Sequence, residues 1–188
     1  MAHGWEGKLT RLVPVDPAKH TENAFRWLND PETTQNLMVG DFPLSRLAEE
    51  NYLREAATGK EHEIAFAIET QDGRHIGFSG IHRIDWRSGF GTTGTIIGDG
   101  EDWGKGYGTD AAVTRAHYCF EVLGLRILYS SFIEPNVRSA SMQHKVGYQV
   151  SGRFPKRHWK RGGYRDEVLT YLPMERFREL HGAVFATM

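Results

Sequence analysis

Apolar and polar positions along the chain fall into two rhythms, a short alternation and a helical repeat. Residues 8–15, KLTRLVPV, alternate enough to predict an opening strand from Leu9 to Val13, ended by Pro14. Helical spacing follows around Thr21–Leu28, stopped at Asp30-Pro31, and again from Ser45 to Thr58, with Ser45 placed as N-cap and Gly59 as the residue past the end. In EIAFAIE, Ile64, Phe66 and Ile68 alternate with Ala65 and Ala67. The Asp72-Gly73 pair in QDGR then turns the chain into HIGFSGIHRI, which predicts an antiparallel hairpin. GTTGTIIG, rich in β-branched residues, reads as the next strand.

Beyond it Ala112, Val113, Ala116, Phe120 and Leu123 recur at helical spacing until Gly124. Arg126–Ile133 reads as a buried strand. PNVRSASMQHKVG reads as a helix capped by Asn136 and ended by Gly147. YQVSGRF and GYRDEVLTYL close the pattern as two strands joined by a basic loop. The order predicts a single α/β (α+β) domain over residues 1–188. It has a mixed, mostly antiparallel sheet of about seven strands and about four helices.

Composition narrows this little. Of the 188 residues 25% are charged and 39% hydrophobic, and the formal net charge of −1 exerts no general pull on nucleic acid or anionic membrane. The lone Cys119 excludes an internal disulfide framework and fits a reducing compartment; its place beside Phe120 reads as core. MAHGWEGKLTRLVPVD lacks a signal-peptide core, and no run of about 20 apolar residues occurs, so a soluble cytoplasmic protein is expected. The histidines lack zinc-ligand spacing, so no metal is expected.

The chemistry is concentrated in IGDGEDWGKGYGTDA, residues 97–111. Glycine costs backbone entropy, so Gly104, Gly106 and Gly108 on alternate positions suggest that something approaches the main chain closely. A strand running through glycines into a helix start makes an anion site from free N–H groups and the helix dipole. The P-loop pattern fails at both ends. A dinucleotide fingerprint on Gly106, Gly108 and Ala111 lacks the later acidic residue, since that region reads LYSSFI.

WGKGYGTDA resembles the acyl-CoA diphosphate loop of the GNAT (Gcn5-related) N-acetyltransferases, Gln/Arg-x-x-Gly-x-Gly/Ala, with Trp103 at the Gln/Arg position. PNVRSASMQHKVGY resembles the later Asn-containing helix of the branch with ribosomal-protein N-terminal and spermidine/spermine-type acetyltransferases. GRF…GGYRDEVLTYL is similar to the closing hairpin. The resemblance spans Leu9 to Leu172. It implies a sheet splayed between strands 4 and 5, and transfer of acetyl from acetyl-CoA to a primary amine, either a protein N-terminus or a small amine such as a polyamine. The backbone of Ile96, Ile97 and Gly98 would line pantetheine, and Trp103, Gly104, Lys105, Gly106, Tyr107, Gly108 and Thr109 would hold the diphosphate. Asn136 would touch pantetheine or the reacting centre, besides capping its helix. Dimers are common in that branch, so a homodimer is a further expectation.

The same resemblance exposes departures. Relatives often carry a tyrosine as general acid where Gln143 stands, and a glutamate where Thr93 stands. Ser139 matches a serine that does the acid's work in the N-terminal branch. Asp99 and His82 are candidate bases, beside a water chain. Two alternatives follow: an acyl-CoA-binding module without turnover, and a ribosome- or RNA-associated protein acting through the basic residues of 153–165.

Overall fold

Alternation along the second strand sends Phe66 and Ile68 into one apolar layer and Ala65 toward another, so the sheet must be covered on both faces. The structure, a computed structural model, describes residues 5–185. Its strands are β1 (Thr10–Pro14), β2 (Ile64–Thr70), β3 (His75–Asp85), β4 (Phe90–Ile97), β5 (Ile127–Ile133), β6 (Gln149–Lys160) and β7 (Gly163–Pro173). They form one sheet in the order β1-β2-β3-β4-β5-β7-β6, antiparallel throughout except for the parallel pair β4 and β5. The helices are α1 (Pro17–Asn29), α2 (Pro31–Thr34), α3 (Arg46–Ala57), α4 (Tyr107–His117), α5 (Val137–Val146) and α6 (Met174–Phe185).

One face carries the main core. Ile76 and Ile81 of β3 and Leu172 of β7 meet Ala111, Ala112 and Ala116 of α4 and Phe177 of α6. On the other face Ala24 of α1 and Leu53 of α3 pack over Ala65 and Phe78. No described helix is long and apolar enough to cross a membrane.

Three elements differ from the pattern read in the sequence. α1 starts at Pro17, because Asp16 caps it by accepting from Ala18 N at 2.9 Å and proline suits the first helical position. Asp30-Pro31 repeats the device: it ends α1 and caps the short α2, which with α6 goes beyond the four helices expected. The basic segment is strand and not loop, since β6 and β7 meet across Arg161 and Gly162 at φ 49° and 80°, the backbone of a tight hairpin turn.

Candidate active site

β4 keeps its register with β3 from Thr92 to Ile97 but pairs with β5 only at Phe90, Gly91 and Thr92. From Thr93 onward the two parallel strands diverge, and the open edge of β4 lines a cleft of about 590 Å³. Side chains close the apex of this fork. Thr93 Oγ1 donates to the Tyr129 carbonyl at 3.1 Å, and Ser130 Oγ donates to the Thr93 carbonyl at 3.0 Å. The Tyr148 hydroxyl lies 2.7 Å from Thr93 Oγ1. A carbonyl only accepts, so the single Thr93 proton is committed to Tyr129 and Tyr148 is the donor in that last bond. Burial holds the Tyr148 phenol above its ordinary pKa, so it stays protonated.

The glycine loop forms the mouth. Gly104 and Gly106 take φ of 76° and 91°, the left-handed region that favours glycine, and Gly106 is the N-cap of α4. A Cβ at Gly104 would meet nothing within 4 Å, so packing does not explain that glycine; the space beside it is open. No acceptor among the described residues takes the N–H groups of Tyr107, Gly108 and Thr109, the first turn of α4. The loop is anchored from behind. Arg74 grips the buried Asp102 through two bonds, at 2.6 and 2.9 Å, and holds that carboxyl below its usual pKa. Trp103 Nε1 donates to the Ile97 carbonyl at 2.8 Å. Asp110 accepts from the N–H groups of Lys8, Leu9 and Thr10 and from Thr10 Oγ1, which ties α4 to the chain entering β1.

The opposite side of the fork belongs to α5. Asn136 Oδ1 caps that helix by accepting from Ser139 N at 3.0 Å. Gln143, fully buried, reaches the carbonyl of Ser131 and the hydroxyls of Ser130 and Ser139 at 3.3–3.4 Å, and accepts from Thr170 Oγ1 at 2.6 Å. The Ser131 carbonyl needs a donor, so it is the amide nitrogen that faces this group. The amide nitrogen cannot accept, and its two protons are shared among three oxygens, so the Ser139 proton is not taken up by Gln143.

An open β4 edge leading through positive-φ glycines to unpaired amides can receive an extended ligand that carries an anion. The comparisons agree. The model of the acetyltransferase (GNAT) domain family matches residues 10–149. The chain belongs to the GNAT acetyltransferase family. Among solved GNAT structures, the spermidine N-acetyltransferase from Vibrio cholerae, in complex with CoA and spermine, superimposes with a TM-score of 0.79 at 17% identity, covering 89% of this chain and 97% of that one. A GCN5-related N-acetyltransferase from Brucella melitensis gives 0.78 at 23%, covering 97% and 83%. The microcin C7 self-immunity acetyltransferase in complex with acetyl-CoA and AMP gives 0.77 at 15%, covering 89% and 93%. At these identities the likeness is one of fold.

Within this GNAT cleft the structure gathers most of the predicted residues. Ile96, Ile97, Trp103, Gly104, Gly106 and Tyr107 line it, as do Gly108, Thr109, Asn136 and Ser139. Three do not reach it. Gly98 donates its N–H to Ile76 and accepts from Thr33 Oγ1 at its carbonyl, and a Cβ there would lie 1.9 Å from the Trp27 ring; this glycine serves packing. The Lys105 ammonium sits 3.5 Å from Asp102. Asp99 is clamped by the Arg26 guanidinium, at 2.5 and 2.8 Å, which holds its carboxyl below the usual range and makes it a poor base. His82 does line the cleft, and burial lowers its pKa, so it is neutral at pH 7 and able to take a proton.

Arg115 and Tyr148 escaped the sequence reading. Arg115 is 2% exposed, and its Nη1 lies 2.6–2.8 Å from Ser79 Oγ, the Gly94 carbonyl and Thr95 Oγ1, which share its two protons. It stands on the apolar stripe Ala111, Ala112, Ala116, Cys119; a charged residue in that phase was the available signal. The basic hairpin is largely neutralised within the molecule. Arg153 pairs with Glu134 and Asp166, Arg157 with Glu167, and Lys160 with Asp41, while Arg161 donates to the Pro31 carbonyl and Thr34. That argues against an RNA-binding patch. Cys119 is buried with its thiol pushed up to about 12, the inert core residue expected.

Proposed function

We propose that the protein moves an acetyl group from acetyl-CoA to a primary amine, small or at a protein N-terminus, in the cytoplasm. The observation that carries this reading is the β4 edge from Thr93 to Ile97, unpaired on its β5 side and continuous with the free amides that open α4. Pantetheine is a chain of amides that can extend such an edge, and the diphosphate suits the first turn of α4. A neighbour crystallised with both CoA and spermine supports the pairing of this donor with an amine.

In this scheme the amine nitrogen bonds to the thioester carbon, and main-chain N–H groups along β4 stabilise the charge that develops on the carbonyl oxygen. Neutral His82 takes the proton released by the amine. The C–S bond breaks, and the Ser139 hydroxyl, 3.3 Å from the Gln143 amide nitrogen, gives its proton to the departing sulfur and regains one through solvent, to which His82 releases the amine's proton. Gln143 thus does not replace the tyrosine of relatives; it orients the serine.

The test is thiol release from acetyl-CoA against a panel of polyamines, amino-acid amides and peptides with free N-termini. Turnover of at least one acceptor is expected, with kcat/KM falling as pH drops through the lowered His82 pKa. His82→Gln should remove that limb. Tight CoA binding without turnover on any acceptor would instead identify a binding module.

A further inference from the structure

Three of the cations beside the glycine loop are paired with carboxylates. Arg74 and Lys105 share Asp102, and Arg26 on the other flank holds Asp99. Arg138 lines the same cleft from α5, and no carboxylate among the described residues pairs with it. Its guanidinium carbon lies 3.9 Å from the centre of the Trp103 ring, so the group rests on the indole face and leaves its N–H edge for an anion. Trp103 is a fixed platform, because its own N–H is bonded to the Ile97 carbonyl.

The position is also electrostatically odd. Arg138 is the second residue of α5, whose first turn holds no acidic side chain. A cation there opposes the helix dipole, and an anion bound in front of it would reverse the sign of that interaction. The glycine motif supplies a reason for one, since it places Trp103 where relatives carry a Gln or Arg.

We propose that Arg138 reaches across from α5 to hold the diphosphate of CoA over the glycine loop, doing from a second helix what the residue at 103 does elsewhere. The inference rests on the acetyl-CoA reading above. Lys145 also lines the cleft, but it sits two turns further along α5, roughly 10 Å along the axis, and suits a more distant phosphate.

Calorimetric titration with CoA and with dephospho-CoA, without any acceptor, tests this on wild type, Arg138→Met and Arg138→Lys. Both ligands contain the diphosphate, so Arg138→Met should weaken both by the same factor, about tenfold or more. Arg138→Lys should fall between, and the difference should shrink at high salt. The melting temperature should hold or rise, because the variant removes a cation from a helix start. A wild type that ignores CoA sinks the acetyl-CoA reading itself. A wild type that binds, with Arg138→Met binding equally well, overturns only the role of Arg138. A loss seen with CoA but not with dephospho-CoA assigns the guanidinium to the 3′-phosphate and overturns the diphosphate placement.

Discussion

The two walls of the cleft are built on different principles. The wall of β4, the glycine loop and α4 is one continuous stretch, and what it presents is main chain: an open strand edge, two positive-φ glycines and the unpaired amides of a helix start. Another wall, beside α5, is assembled from parts far apart in sequence. Asn36, Leu37 and Met38 beyond α2 line it, and the β6–β7 hairpin is tied to this segment by Lys160 Nζ, which meets both oxygens of Asp41 at 2.8 Å and the Val39 carbonyl at 3.3 Å. A backbone site suits a partner that never changes, because its donors survive most side-chain substitutions. A side-chain wall suits a variable partner, because ion pairs and loop residues can be exchanged without disturbing the first wall.

The largest expected effect lies where the walls meet. Ser139→Ala should lower kcat by about a hundredfold, the range for loss of a general acid. Gln143→Met should lower kcat as well, by removing the bonds that hold the serine. If Gln143 acts through Ser139, the double variant will be about as slow as Ser139→Ala alone. Multiplying effects would mean that Gln143 serves only the packing around Thr170. A full-rate Ser139→Ala would remove the serine from the mechanism.

On the backbone wall, Gly104→Val isolates ligand from fold. The left-handed backbone at this site costs a non-glycine residue about 1–2 kcal/mol, and somewhat more for a β-branched one. No protein atom lies within 4 Å of the new Cβ, so no clash adds to that. CoA affinity should nevertheless fall by tens of fold, since the side chain occupies the space assigned to the diphosphate. Equal affinity in calorimetry, with the expected small loss of stability, would show that the first wall faces solvent.

The same contrast explains what could be read from the sequence. The backbone wall is local, so its glycines, the strand before them and the helix after them stand within 28 residues of text, Phe90 to His117. The succession of elements along the chain and the capping roles of Ser45 and Asn136 were legible for the same reason, since each depends on a few neighbouring residues. Gly98 was misread because its cause is Trp27, 71 positions away, whose ring fills the place of a Cβ. Asp99 as a base failed for a like reason: Arg26, on the same distant helix, neutralises it. The basic run at 153–165 looked like a surface for an anionic partner because its counter-charges, among them Glu134 and Asp41, lie in other elements. Charges read along a chain do not reveal what the fold places opposite them.

The smallest effect belongs to the assembled wall. Lys160 is 3% exposed, but Asp41 is about half open to solvent, so their pair is only partly desolvated. Its loss should cost far less than breaking a fully buried pair, about 1 kcal/mol in Lys160→Met, where the apolar stem is kept. The consequence for function is separable. Asp41 would lose its partner and the 35–44 segment its tether to the hairpin, while β4, the glycine loop and α4 make no contact that depends on Lys160. KM for the amine should therefore rise several-fold, with CoA affinity unchanged. Asp41→Asn should shift KM in the same direction by less, because the amide still accepts from Lys160. A change in CoA affinity with KM for the amine untouched would reverse the assignment of the two walls.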